Sequence, residues 1–88
     1  MVNKKTIIMK IEILAFGIVK DIIKNRTLSI DLPDGSNVGF LKKKLTDRFP
    51  DFQKLKSIAI AVNEEYQTDE FNLSEKDEVV IIPPVSGG

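Results

Sequence analysis

One amphipathic helix has to serve the whole chain. Val38, Leu41, Leu45 and Phe49 recur at i, i+3, i+7 and i+11, and Lys42, Lys43, Asp47 and Arg48 fill the opposite side. Such a stripe must be buried against something apolar. Pro50 ends the pattern, because the residue before a proline is pushed out of the α region. The chain has 88 residues, enough for one domain with a small core. Its stability is therefore expected to rest on a single interface between this helix and a sheet.

The sheet is written in the flanking segments. Ile7, Met9, Ile11, Ile13 and Ala15 alternate with Ile8, Lys10, Glu12, Leu14 and Phe16, the period of a strand with one buried face. Gly17 breaks the run. Ile18, Val19, Ile22 and Ile23 then fall at helical spacing and predict a short helix, with Asn25 suited to its end. Leu28, Ile30 and Leu32 mark a second strand, and Pro33-Asp34-Gly35-Ser36 a turn. Ser36 or Asn37 is the expected cap of the long helix. Asp51–Lys56 reads as a loop. Ile58, Ile60 and Val62 alternate with alanines, which predicts a strand partly covered on its second face too. Asn63-Glu64-Glu65 is a turn, and Tyr66–Phe71 holds a short extended piece. A polar turn anchored by Leu73 precedes the last strand, Glu78–Ile82, which is β-branched and bounded by Pro83. One helix across one mixed sheet is an α+β architecture. Two strands, then the long helix, then further strands is the order of the β-grasp, or ubiquitin-like, fold. Residues 1–82 are expected to form that domain and residues 83–88 a flexible tail.

Composition removes most chemistry. There is no cysteine and no histidine. Disulfides, Cys/His metal sites, thiolate nucleophiles and the commonest general base are excluded together. Basic and acidic residues number 13 each, a poor balance for phosphate neutralisation, so no nucleic-acid partner is expected. No run approaches the roughly 18 apolar residues of a membrane span, and the first residues lack the pattern of a signal peptide. A cytoplasmic protein with no membrane partner is expected. The basic stretch Lys42, Lys43, Lys44 and Arg48 reads first as a solvated helix face, with docking to an acidic patch as the alternative. The carboxylates Glu64-Glu65, Asp69-Glu70 and Glu75/Asp77/Glu78 read as exposed turn residues, and no metal site is expected. Gly35-x-x-x-Gly39 lacks the Lys-Ser/Thr of a phosphate-binding loop.

What remains is the end of the sequence, Pro83-Pro84-Val85-Ser86-Gly87-Gly88. The prolines fix φ and favour an extended exit from the last strand. At about 3.3 Å per residue the tail reaches roughly 20 Å. Glycine has no Cβ, so Gly87 and Gly88 can thread a channel that other residues would block. Small residues are common at termini, which is the plain alternative. The functional reading makes the Gly88 carboxylate the working group.

Four segments carry a resemblance to a known family, the sulfur-carrying small subunit of molybdopterin synthase among the ubiquitin-like sulfur carriers. Residues 13–21 are similar to that family's opening strand and following helix. Ala61-Val62-Asn63 is similar to its "AVN" strand end. Leu73–Val79 resembles its "L-x-x-G-D-E-V" turn, with Lys76 in place of the glycine. Residues 83–88 resemble its "PPV[ST]GG" terminus. Ile81-Ile82 stands where aromatics are often found, and Met1–Ile8 extends beyond the usual start.

The resemblance implies a function. An adenylating enzyme would use ATP to activate Gly88, and a sulfur donor would convert it to a thiocarboxylate. The tail would then enter the large subunit of the synthase and give sulfur to cyclic pyranopterin monophosphate, building the dithiolene. The chain itself would bind no cofactor, its catalytic side chains would lie on the large subunit, and the assembly would be a heterotetramer. Strand parity adds a contact surface: with Ile11, Ile13 and Ala15 facing the helix, Leu14 and Phe16 face the other side of the sheet, and one of the pairs Val79/Ile81 and Val80/Ile82 shares that face; the resemblance, which implies an apolar partner contact just before the prolines, selects Val80 and Ile82. Together with Pro83, Pro84, Val85 and Ser86 they are the expected partner contacts. The alternative for Phe16 is packing on Ile22 or Ile23. Rival functions are sulfur carriage for thiamine, tRNA thiolation or cysteine synthesis, a ubiquitin-like protein modifier, and an inert binding module.

Overall fold

A computed structural model describes residues 7–55 and 57–83. Its elements are β1 (Ile8–Ala15), α1 (Gly17–Ile23), β2 (Thr27–Pro33), α2 (Val38–Arg48), a 3-10 helix (Pro50–Lys54), β3 (Ala59–Val62), β4 (Glu65–Gln67) and β5 (Val79–Ile82). The five strands form one mixed sheet in the order β2-β1-β5-β3-β4. β1 pairs with β2 antiparallel and with β5 parallel, and β3 pairs antiparallel with both β5 and β4. This is the expected β-grasp, with the last strand at its centre.

The buried set follows the alternation of the strands. Met9, Ile11, Ile13 and Ala15 of β1, Ile30 and Leu32 of β2, Ile60 and Val62 of β3, and Val79 and Ile81 of β5 point to one side. There they meet Val38, Leu41 and Leu45 of α2. Ile7 shares the parity of this set, yet it precedes β1 and is exposed.

Several local details differ from the sequence expectations, among them β4, which covers Glu65–Gln67 where an extended piece was expected over Tyr66–Phe71, and β5, which begins at Val79 and not at Glu78. Phe49 caps α2 instead of continuing it, and Pro50 opens a 3-10 helix where a loop was expected. Proline at the start of a helix sacrifices only an N–H that would be unpaired anyway. The tight turn buries Phe52 and sets its ring edge-on to Phe49 at 6.2 Å. At the end of α1 it is Lys24, not Asn25, that takes the left-handed conformation, with φ 64 and its N–H donating to Lys20 O. The Asn25 side chain instead accepts from Arg26 N. β3 begins at Ala59, one residue after Ile58. Of the two candidate caps of α2, Asn37 holds the position, its Oδ1 accepting from Phe40 N at 2.9 Å. Two further first-turn donors, Val38 N and Gly39 N, reach Phe71 O and Asp69 O at 2.9 Å each. Gly39 permits that approach, since a Cβ there would lie 3.2 Å from Asp69 Cβ.

Candidate functional site: the outer sheet face and the base of the tail

The tail leaves from the middle of the sheet. β5 lies between β1 and β3, registered Ile13↔Val79, Leu14↔Val80 and Ala15↔Ile81 on one side and Ala59↔Ile82 to Val62↔Val79 on the other. Because β1 and β5 run parallel, the end of β1 lies beside the end of β5. Phe16 therefore follows Ala15 at the point where the chain leaves the sheet through Ile82 and Pro83. Pro83 has no N–H to donate to a ladder, so strand pairing stops there. The segment Pro84, Val85, Ser86, Gly87 and Gly88 lies outside the described residues.

Strand parity holds. Leu14, Val80 and Ile82 project away from α2 and are half-buried, and Pro83 is half-buried as well. Phe16 is 57% exposed and belongs to no core cluster, so it does not pack away on Ile22 or Ile23. Its backbone stays extended at φ −134 and ψ 159, and Gly17 at φ +57 then turns the chain into α1. Sequence reading missed two contributors to this face. The register sets Ala61 between Val80 and Tyr66, which gives a row Thr27–Leu14–Val80–Ala61–Tyr66 across all five strands. Tyr66 is 70% exposed. Ala59 beside Ile82 belongs to the next row. The signal for Tyr66 was present: a two-residue turn after Val62 pairs Ala61 with Tyr66.

The outer face is continuously apolar on the side of the tail, and at the far end of β1 it exposes Ile8. Farther along β1 and β2 it carries Ser29 Oγ donating to Glu12 Oε2 at 2.9 Å, and Lys10 Nζ facing Asp31 at 3.9 Å. The apolar half thus surrounds the base of the tail, bounded by a polar half. Exposed apolar surface rimmed by polar groups is the usual form of a protein interface.

A side-chain staple holds β5 in place. Asn63 and Glu64 both have positive φ, 53 and 73, as a type I′ hairpin requires. Asn63 Nδ2 donates to Asp77 Oδ1 at 2.9 Å, and its Oδ1 accepts from Glu78 N at 2.9 Å. Asn63 N donates to Glu78 O at 2.8 Å, and Asp77 Oδ2 accepts from Ser74 N at 2.8 Å. The "AVN" and "DEV" segments are thus two halves of one clamp that sets where β5 starts, and through it where the tail begins.

The charged side chains described are exposed or half-buried and stay solvated. Lys42 pairs with Asp69 at 2.8 Å, Lys43 with Asp47 at 4.0 Å and Lys54 with Asp51 at 3.5 Å. No group of three acidic residues among those described is placed to hold a metal ion. No helix among them is long and apolar enough to cross a membrane.

Comparison with known proteins places this geometry. Residues 13–88 match the sequence profile of the ThiS family. The molybdopterin synthase sulfur carrier subunit of Arabidopsis thaliana is 33% identical over 81 residues, covering 91% of this chain and 84% of that one. Subunit 1 in a complex of subunits 1 and 2 of the molybdopterin-converting factor from Helicobacter pylori superposes with a TM-score of 0.61. It is 26% identical and covers 91% of this chain and 100% of its own. Small archaeal modifier protein 1 of Haloferax volcanii shares the fold, with a TM-score of 0.76 at 20% identity, over 88% of this chain and 99% of that one.

Proposed function

The chain belongs to the ThiS family, and from that premise we propose that it is the sulfur carrier subunit of a molybdopterin synthase, acting in the cytoplasm. The observation that carries the reading is the Pro-Pro-Val-Ser-Gly-Gly sequence set on the central strand, with an apolar face around its base. Relatives named as molybdopterin synthase sulfur carrier subunits support it.

A carboxylate is a poor electrophile. In the proposed cycle the Gly88 carboxylate oxygen attacks the α-phosphorus of ATP on an adenylating enzyme and releases pyrophosphate. A sulfur donor then displaces AMP and leaves a thiocarboxylate. Its sulfur is ionised near neutral pH and strongly nucleophilic, by the chemistry that makes thiolates reactive. The tail inserts into the large subunit and its sulfur attacks cyclic pyranopterin monophosphate; two deliveries build the dithiolene. This chain binds no cofactor in the cycle, and the acid–base side chains belong to the large subunit. Leu14, Phe16, Val80, Ile82 and Pro83 form the docking face, and Pro84, Val85, Ser86 and Gly87 line the tail's path. The two-subunit complex of the H. pylori relative supports such a partner, assembled here as a heterotetramer.

The test is intact mass spectrometry after incubation with an adenylating enzyme, ATP and a sulfur donor. The expected result is replacement of one oxygen by sulfur, lost on deletion of Gly88. No shift with an activating enzyme competent on another carrier overturns the reading. Covalent conjugates to lysines would assign the tail to protein modification instead.

A further inference from the structure

The edge of the sheet at β2 is open. Ala15 N donates to Arg26 O at 2.8 Å, and Asp34 N donates to Ile7 O at 2.7 Å. In an antiparallel pair, residues that exchange hydrogen bonds alternate with residues whose N–H and C=O point away. With the register Ile8↔Pro33 to Leu14↔Thr27, Leu28, Ile30 and Leu32 bond inward to β1. The N–H and C=O groups of Thr27, Ser29 and Asp31 therefore point outward, and no hydrogen bond among the described residues reaches them. β4, the opposite edge, has only three residues, whereas β2 has seven, with proline only at its end. Long open edges are ready templates for another strand.

A groove of about 420 Å³ runs beside this edge on the helix side, lined by Ser29, Ile30, Asp31, Lys44, Asp47 and Arg48. Its floor is apolar, since Ile30 is buried and neighbouring Leu28 half-buried. Of the two acidic residues along it, Asp31 turns its carboxylate to Lys10 on the outer face and Asp47 faces Lys43 at 4.0 Å. Lys44 and Arg48 lie over the rings of Phe40 and Phe49, and neither has a carboxylate within ion-pair distance among the described residues.

We propose that the β2 edge and the β2–α2 groove bind an extended peptide of a partner protein, added as a further strand, with an apolar residue on the Leu28–Ile30 floor and acidic residues facing Lys44 and Arg48. Charge decides the occupant. A second copy paired through β2 would bring the acidic Asp31 and Asp47 along with Lys44 and Arg48, whereas an acidic peptide supplies only the carboxylates that Lys44 and Arg48 lack. The groove lies on the helix side, opposite the face that surrounds the tail, so both can be occupied together. The proposal stands independently of the sulfur-carrier reading.

A display library of random decapeptides selected against the full-length chain tests it, followed by NMR titration of the most enriched peptides into isotope-labelled protein. Enriched sequences should place Asp or Glu beside β-branched or aromatic residues and shift the amides of Thr27, Ser29 and Asp31. The exposed pair Lys44→Glu and Arg48→Glu, with the protein's own spectrum confirming its fold, should weaken binding about tenfold. N-methylating the peptide amides that face β2 should weaken it to a similar degree, with the protein untouched. The proposal is overturned by a lack of enrichment, by shifts centred on Leu14 and Val80, or by affinity indifferent to both changes. It is equally overturned if those amides report concentration-dependent self-association.

Discussion

The two faces of the sheet are made from the same strands and answer different demands. Ile13 and Leu14 are neighbours in sequence, yet Ile13 is fully buried under α2 and Leu14 is half-buried beside the base of the tail. Val79 and Val80 repeat the contrast in β5. The inner face is closed by the helix and provides stability. The outer face is left short of cover, and so keeps apolar area exposed. In a domain with one main helix this division is forced, because that helix can cover only one side.

Single substitutions should separate the faces. The largest effect is expected for Ile13→Ala, which opens a cavity in a dry core and should cost about 3 kcal/mol in urea unfolding. A loss below about 1 kcal/mol would mean that the core collapses around the gap. Asn63→Ala removes two side-chain hydrogen bonds and puts alanine at positive φ, for an expected loss of about 2 kcal/mol. Amide exchange should rise first at Val79 and Val80 if the clamp sets the start of β5. Leu14→Ala, one residue from the first site but on the outer face, should cost only about 1 kcal/mol. A value matching Ile13→Ala would erase the distinction between the faces. Phe16→Asp should change stability least, by about 0.5 kcal/mol or less. It should nonetheless abolish co-elution with a large subunit, and retained association would remove Phe16 from the interface.

Much of this was legible in the residues. The period of α2 and the alternation of β1 and β2 are local signals, and each predicted its element and its buried side. Parity assigned Leu14 and Phe16 to one face before any register was known, because successive side chains in a strand must oppose, whereas the choice of Val80 and Ile82 over Val79 and Ile81 came from the family resemblance. Less legible were features whose cause lies far along the chain. The segment after Pro50 looks like a loop until α2 and α1 give Phe52 something to pack on. The bonds from Asn63 to Asp77 and Glu78 cross the connection between β4 and β5, and nothing in either segment alone announces the other.

The sequence by itself determined one main helix and a shorter one, a mixed sheet, the absence of cysteine and histidine, and the Pro-Pro-Val-Ser-Gly-Gly segment that follows the last strand. Tertiary structure alone decided that the last strand is the central one and that β2 is left with an open edge beside Lys44 and Arg48. Periodicity reports what each segment needs to bury. Which strand meets which is a balance among contacts distant in sequence, and it exists only once the chain has closed.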